Sequence, residues 1–124
     1  MEIILRQAVE NLGTQGYLSV MSLAAAMVGN SSSGIVEAAP FKLPVVNIGT
    51  RQKGRVLSAN IINSGYGRAE IAAAIGQAVS PLFRDSLSNL QSLYGDGQTA
   101  ERIVKVLKET KLDQRLLVKA FHDL

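Results

Sequence analysis

The chain has 124 residues, of which 47% are hydrophobic and 19% charged, and its formal net charge is +3. That composition fits one globular domain, burying roughly two-thirds of its unfolded surface, and excludes intrinsic disorder. There is no cysteine, which excludes disulfides, thiolate metal sites and a cysteine nucleophile.

Ile3, Ile4, Ala8 and Leu12 fall near helical spacing, with Gly13 as the expected C-cap. Tyr17 to Ala25 reads as a second helix with Leu18, Met21 and Ala25 on one face. Ala26 to Val28 is a short buried strand, and a Gly29-Asn30-Ser31-Ser32-Ser33-Gly34 loop follows it. A short helix is expected to start near Gly34. Pro40 and Pro44 bracket the turn before a strand at Val45 to Ile48. Gly49 to Ser58 is a polar loop holding Arg51, Lys53 and Arg55, and Asn60 to Asn63 reads as a third strand. Arg68 to Ser80 reads as a helix with Ile71, Ile75 and Val79 at spacings of four. Pro81 opens a helix or turn running to Leu87. After the Gly95-Asp96-Gly97 turn, Ala100, Ile103, Val104 and Leu107 follow the i, i+3, i+4, i+7 pattern of an amphipathic helix. Leu117, Ala120, Phe121 and Leu124 repeat it in a last helix.

Strands joined by helices imply an α/β layer fold with a short parallel sheet. Ligands in such sheets bind outside the carboxyl ends of the strands. Asn30–Gly34, Gly49–Arg55 and Ser64–Gly67 should gather there. Three short strands are few for a sheet covered on both faces, so the chain reads as part of a truncated Rossmann-like domain.

A small-residue loop entering a helix presents unpaired amides and hydroxyls to an anion, and a diphosphate is the natural candidate. The loop is neither a Walker loop, since no Lys-Ser or Lys-Thr follows, nor a dinucleotide fingerprint, since Gly-x-Gly-x-x-Gly is absent. On spacing alone, Ser31, Ser32 and Ser33 fit a helix N-cap first and an anion cradle second. Glu37 then complements the helix dipole, and Arg51, Lys53 and Arg55 form a solvated loop. Asp96 reads as a turn and cap residue. Tyr66, between Gly65 and Gly67, suits packing or ligand approach equally. His122, the only histidine, has no partner motif, so neither a metal site nor a catalytic role is expected.

Gly29-Asn30-Ser31-Ser32-Ser33-Gly34-Ile35-Val36-Glu37 resembles the nucleotide-binding loop and helix of the hydrolysing UDP-N-acetylglucosamine 2-epimerases of the sialic-acid pathway type. Asn47-Ile48-Gly49-Thr50-Arg51-Gln52-Lys53-Gly54-Arg55 resembles the loop that follows in that family. Tyr94-Gly95-Asp96-Gly97 and Arg102-Ile103-Val104 resemble its C-terminal signature. The similarity runs over essentially the whole chain and covers only the C-terminal part of a family member. It implies the C-terminal, UDP-holding domain of a GT-B fold, spanning residues 1–124. The implied UDP-binding residues are Ser31, Ser32, Ser33, Gly34, Glu37 and Arg51: the diphosphate contacts fall on Ser31 and Ser32, the ribose carboxylate is Glu37, and Arg51 lies near the nucleotide-sugar. The family reaction eliminates UDP across C1–C2 of the sugar and adds water to the glycal, with most proton-transfer groups on an N-terminal domain. The resemblance therefore implies no catalytic residue in this chain and no cofactor. Departures are Ala39-Pro40, where Pro-Ser is usual, and Ala25, where Asp is common.

Three functions compete on this reading. The chain is one part of a split epimerase with a separate N-terminal half, a module that binds UDP or UDP-N-acetylglucosamine without chemistry, or an oligomeric remnant without a ligand. Strands lost from the sheet would leave an unpaired edge, so a homodimer or higher oligomer is expected. The polarity and charge pattern gives no reason to expect nucleic acid or a membrane as partner, and a cytoplasmic location is expected.

Overall fold

The computed structural model describes residues 6–118 and divides at Tyr94 into two units. In the first, helix α1 (Gly13–Leu23) leads into strand β1 (Met27–Gly29), and helix α2 (Ser32–Val36) and a 3₁₀ turn at Ala39–Phe41 lead into β2 (Val45–Ile48). The 49–60 loop connects to β3 (Ile61–Ser64), which is followed by helices α3 (Arg68–Val79) and α4 (Pro81–Ser86). The three strands form one parallel sheet in the order β1-β2-β3, with Gly29 beside Asn47 and Asn47 beside Asn63. All three carboxyl ends therefore open on the same edge, which is the α/β arrangement of a Rossmann-like fold.

The alternation of a strand explains the two cores. Val45 packs on one face with Met21, Ala38 and Leu43, flanked by Tyr17, Leu18 and Met27. Val46 packs on the other with Ala74 and Ala78, flanked by Ile48, Ile62 and Ile75. The β2 strand is thus buried on both sides, as suits a central strand that is apolar but for Asn47.

Several expected elements are corrected. The stretch from residue 6 to Leu12 is not helical, and Ile3 and Ile4 lie outside the described residues. Gly13 opens α1 instead of closing a helix. Its φ of +64° is the left-handed geometry expected of a cap, but Asn11 Oδ1 accepts its amide at 2.7 Å and turns the chain there. The second helix begins and ends earlier than expected, so Ala25 falls beyond it and is exposed, while Met21 is the buried residue. Strands β1 and β3 each sit one residue later than expected. In α3 the buried residues are Ala74 and Ala78, with Ile71 and Ile75 at the margin and Val79 44% exposed. The small alanines let the helix approach the sheet closely.

In the second unit, the Gly95–Gly97 turn precedes helix α5 (Thr99–Glu109), and α6 (Gln114–Leu117) follows. Asp96 accepts from the Gln98 amide at 3.0 Å and from both terminal guanidinium nitrogens of Arg102 at 3.1 and 2.5 Å. The Gln98 amide, and then Arg102, hold its carboxyl below the usual range. Asp96 is accordingly a turn and cap residue. Ala120, Phe121 and Leu124, expected in a last helix, and His122 lie outside the described residues.

Candidate functional site

The carboxyl edge of the sheet carries two loops side by side. The first follows β1. Ser31 is the N-cap of α2, with extended backbone and its Oγ accepting from the Ser33 amide at 3.3 Å. The helix begins at Ser32, two residues before the expected start. The Gly34 amide donates to the Ser31 carbonyl at 3.2 Å. Both bonds lie at the long end of the normal range, so the amides of this first turn are only loosely engaged. The Ser33 hydroxyl shares a 2.7 Å hydrogen bond with the Tyr17 hydroxyl, which ties α2 to α1. Ser32 is exposed, and its side chain takes no hydrogen bond among the described residues.

Gly34 is buried inside α2, where a Cβ would lie 2.9 Å from Val45 Cγ1. Its packing role is plain: it lets α2 rest on β2. Glu37 is exposed at the C-cap of α2. Five helical residues separate it from Ser31, an axial rise of roughly 9 Å. A carboxylate at a helix C-terminus gains nothing from the dipole, so the dipole reading of Glu37 fails.

The second loop follows β2. Gly49 has φ +74° and lies directly under the Tyr66 ring, leaving no room for a side chain. The Thr50 amide donates to Tyr66 Oη at 3.3 Å. The Thr50 hydroxyl and then its amide lower the Tyr66 phenol below its ordinary value near 10. Arg51, Lys53 and Arg55 are exposed. Between Arg51 and Lys53 stands Gln52, only 5% exposed, whose Nε2 donates to the Asn30 carbonyl at 2.8 Å. That bond joins the arginine-bearing loop to the serine loop.

A cavity of about 240 Å³ lies beneath the second loop, lined by Asn47, Gly49, Thr50, Gln52, Lys53, Gly54, Arg55, Leu57 and Asn63. The Asn47 side-chain amide donates to Asn63 Oδ1 at 2.8 Å across neighbouring strands. The edge therefore combines three cationic side chains, carboxamides and exposed serine hydroxyls, the chemistry of an anion site with polar discrimination. Two larger hollows, along α5 and beside Val9–Tyr17, are open furrows, each lined by a single stretch of chain.

The two loops that sequence reasoning singled out are neighbours at this edge, with Ser31, Ser32 and Arg51 exposed on them. Gly34 and the Ser33 hydroxyl are instead engaged in packing and in the bond to Tyr17. Sequence reasoning passed over Gln52, Asn47, Asn63 and the Tyr17–Ser33 bond. Only the placement of Asn47 and Asn63 at strand ends could have signalled any of them. Among the described residues there is no cluster of three metal-ligating side chains and no helix long and apolar enough to cross a membrane.

The model of a family described as UDP-N-acetylglucosamine 2-epimerase matches residues 5–108. The hydrolysing GDP/UDP-N,N'-diacetylbacillosamine 2-epimerase of Campylobacter jejuni is 45% identical over 116 residues, which are 93% of this chain and 29% of the relative. The hydrolysing UDP-N,N'-diacetylbacillosamine 2-epimerase of Legionella pneumophila is 36% identical over 90% of this chain and 28% of its own length. The UDP-N-acetylglucosamine 2-epimerase of Neisseria meningitidis is 42% identical over 64 residues, 52% of this chain and 17% of its own. The chain spans under a third of the length of these curated relatives.

Proposed function

The chain belongs to the UDP-N-acetylglucosamine 2-epimerase family, and we propose that it forms the nucleotide-holding wall of a hydrolysing UDP-sugar 2-epimerase. Ser31, Ser32, Ser33 and Gly34 form the turn that receives the diphosphate, with Ser32 making the direct contact. Arg51 offsets the phosphate charge, and Glu37 accepts from the ribose hydroxyls. The observation that carries this reading is the bond from Gln52 to Asn30. It sets a cationic loop against an N-capped helix start at the carboxyl edge of a parallel sheet. Glu37 supports it as well, because an exposed carboxylate at the C-cap has no structural reward there.

In the reaction of this family the C2–H proton is removed, the C1–O bond breaks and its electron pair leaves with UDP. Water then adds to the glycal. A wall carrying Arg51 and the α2 turn stabilises the departing diphosphate, where negative charge develops. Proton transfer requires the facing wall of the cleft, supplied by an N-terminal domain. By itself this chain binds UDP and does not turn substrate over. For the complete enzyme, the sugar is a diacetamido sugar of the bacillosamine type, a choice supported by the names of the 45% and 36% identical relatives.

Calorimetric titration of UDP into the purified chain tests the reading. Saturable binding is expected, weakened at least tenfold by Ser32→Ala and by Glu37→Ala. Ser32 takes no side-chain hydrogen bond among the described residues, so its loss leaves the fold unchanged. Absence of binding up to millimolar UDP would remove the nucleotide assignment.

A further inference from the structure

Gln52 is out of character for its loop. Its neighbours Arg51 and Lys53 are exposed, yet Gln52 is 5% exposed. Its side-chain amide donates to the Asn30 carbonyl at 2.8 Å, and among the described residues this is the only hydrogen bond joining residues 49–55 to residues 30–34. On the opposite flank the same loop is held by the Gly49 amide on the Ser64 carbonyl at 2.8 Å and by Thr50 on Tyr66. Removal of Gln52 would therefore release the loop on the serine side alone.

The other half of the Gln52 carboxamide does not favour folding. Its Oε1 is sealed from solvent and accepts no hydrogen bond from the described residues. A buried acceptor without a partner opposes folding. A fold selected only for stability would place an apolar side chain of similar length here. The glutamine is explained by what its donor half fixes in space.

We propose that Gln52 is a positioning residue that locks the Gly49–Arg55 loop to the serine loop, so that Arg51 meets the same anion as Ser31 and Ser32. This rests on the nucleotide reading above for the identity of the anion, which is a nucleoside diphosphate. The lock itself is a property of the ligand-free chain. It also fixes the mouth of the cavity beneath the loop, which Gln52, Lys53 and Arg55 line.

The experiment compares wild type, Gln52→Met, which keeps the length and removes the donor, and Gln52→Asn, which keeps the carboxamide and shortens its reach. Three quantities are read: amide hydrogen exchange by mass spectrometry, the thermal midpoint, and UDP affinity. In Gln52→Met, exchange should rise at least fivefold in residues 30–34 and 49–55 and stay unchanged elsewhere in residues 6–94. The midpoint should be equal to wild type or higher, while UDP affinity falls at least fivefold. Arg51→Ala should cost less affinity in the Gln52→Met background than alone, because a released loop no longer presents the guanidinium. Gln52→Asn should reproduce the exchange pattern, which keeps the test open if the methionine variant does not fold. Unchanged exchange in the two loops overturns the lock, whatever UDP does. A lower midpoint with faster exchange throughout the unit overturns it too, by showing a merely structural role. Absence of UDP binding by wild type overturns the nucleotide reading, and with it the target of Arg51, while the exchange result still decides whether the loops are locked.

Discussion

Gly34 sets local propensity against packing. An alanine in a helix is worth about 1 kcal/mol over glycine, but a Cβ here would lie 2.9 Å from Val45 Cγ1. Overpacking of that kind costs typically 1–3 kcal/mol, and Val45 is itself 3% exposed with little room to yield. Packing should win. Gly34→Ala is expected to destabilise the fold in urea unfolding by up to about 2 kcal/mol once the helix gain is subtracted, and Val45→Ala in the same chain should make the alanine less costly. A Gly34→Ala chain as stable as wild type would mean that Val45 moves aside. Tyr66 offers a second test. Its phenol is depressed by Thr50, so the folded state favours the phenolate. The associated stability is absent below the folded value, grows as pH rises through it, and is complete above the unfolded value near 10. The absorbance difference between wild type and Tyr66→Phe should titrate with a midpoint below 10, and Thr50→Val should move that midpoint upward. A midpoint at or above 10 would refute the contact.

At the scale of elements, legibility followed punctuation. The β2 strand appears where expected because Pro44 and Gly49 bracket a short run that is apolar but for Asn47. The α3 helix starts where expected, at Arg68, and Glu70 reaches back to the Gly67 amide at 3.2 Å. The α2 helix starts earlier than expected because a single cap, Ser31, decides the start, and three successive serines offer no contrast from which to choose it. The buried face of α3 differs from the expected one because periodicity rewards large side chains, whereas the close approach to Val46 selects alanine. The two loops of the candidate site were legible as small-residue and polar segments. Gln52 was not, because a glutamine among cations reads as solvated, and only the tertiary fold buries it.

At the scale of the whole molecule, apolar surface is the salient feature. The β1 strand pairs only with β2 among the described residues, and Val28 on it is 45% exposed. On α5, Ile103, Val104 and Leu107 form an exposed apolar stripe, with Val104 bordered by Glu101, Lys105 and Lys108. Surfaces of this kind mark interfaces. We propose that the chain self-associates, with a second copy covering apolar surface that one copy leaves open. Sedimentation velocity between 1 and 100 micromolar should show a rising weight-average mass, an expectation on the order of ordinary weak association. Leu107→Glu should shift that curve toward monomer. A single monomeric boundary across the whole range would refute self-association.

The loop after β2 is fastened on one side to Asn30 and on the other to Ser64 and Tyr66, while Lys53 and Gly54 at its crest are exposed. It resembles a lintel across the strand ends, anchored at both jambs. A probe on the crest would sit beside the cavity without disturbing either anchor. Because the chain has no cysteine, a thiol introduced as Lys53→Cys would be the sole labelling position. An environment-sensitive fluorophore there would make the loop its own optical reporter of whatever enters the site.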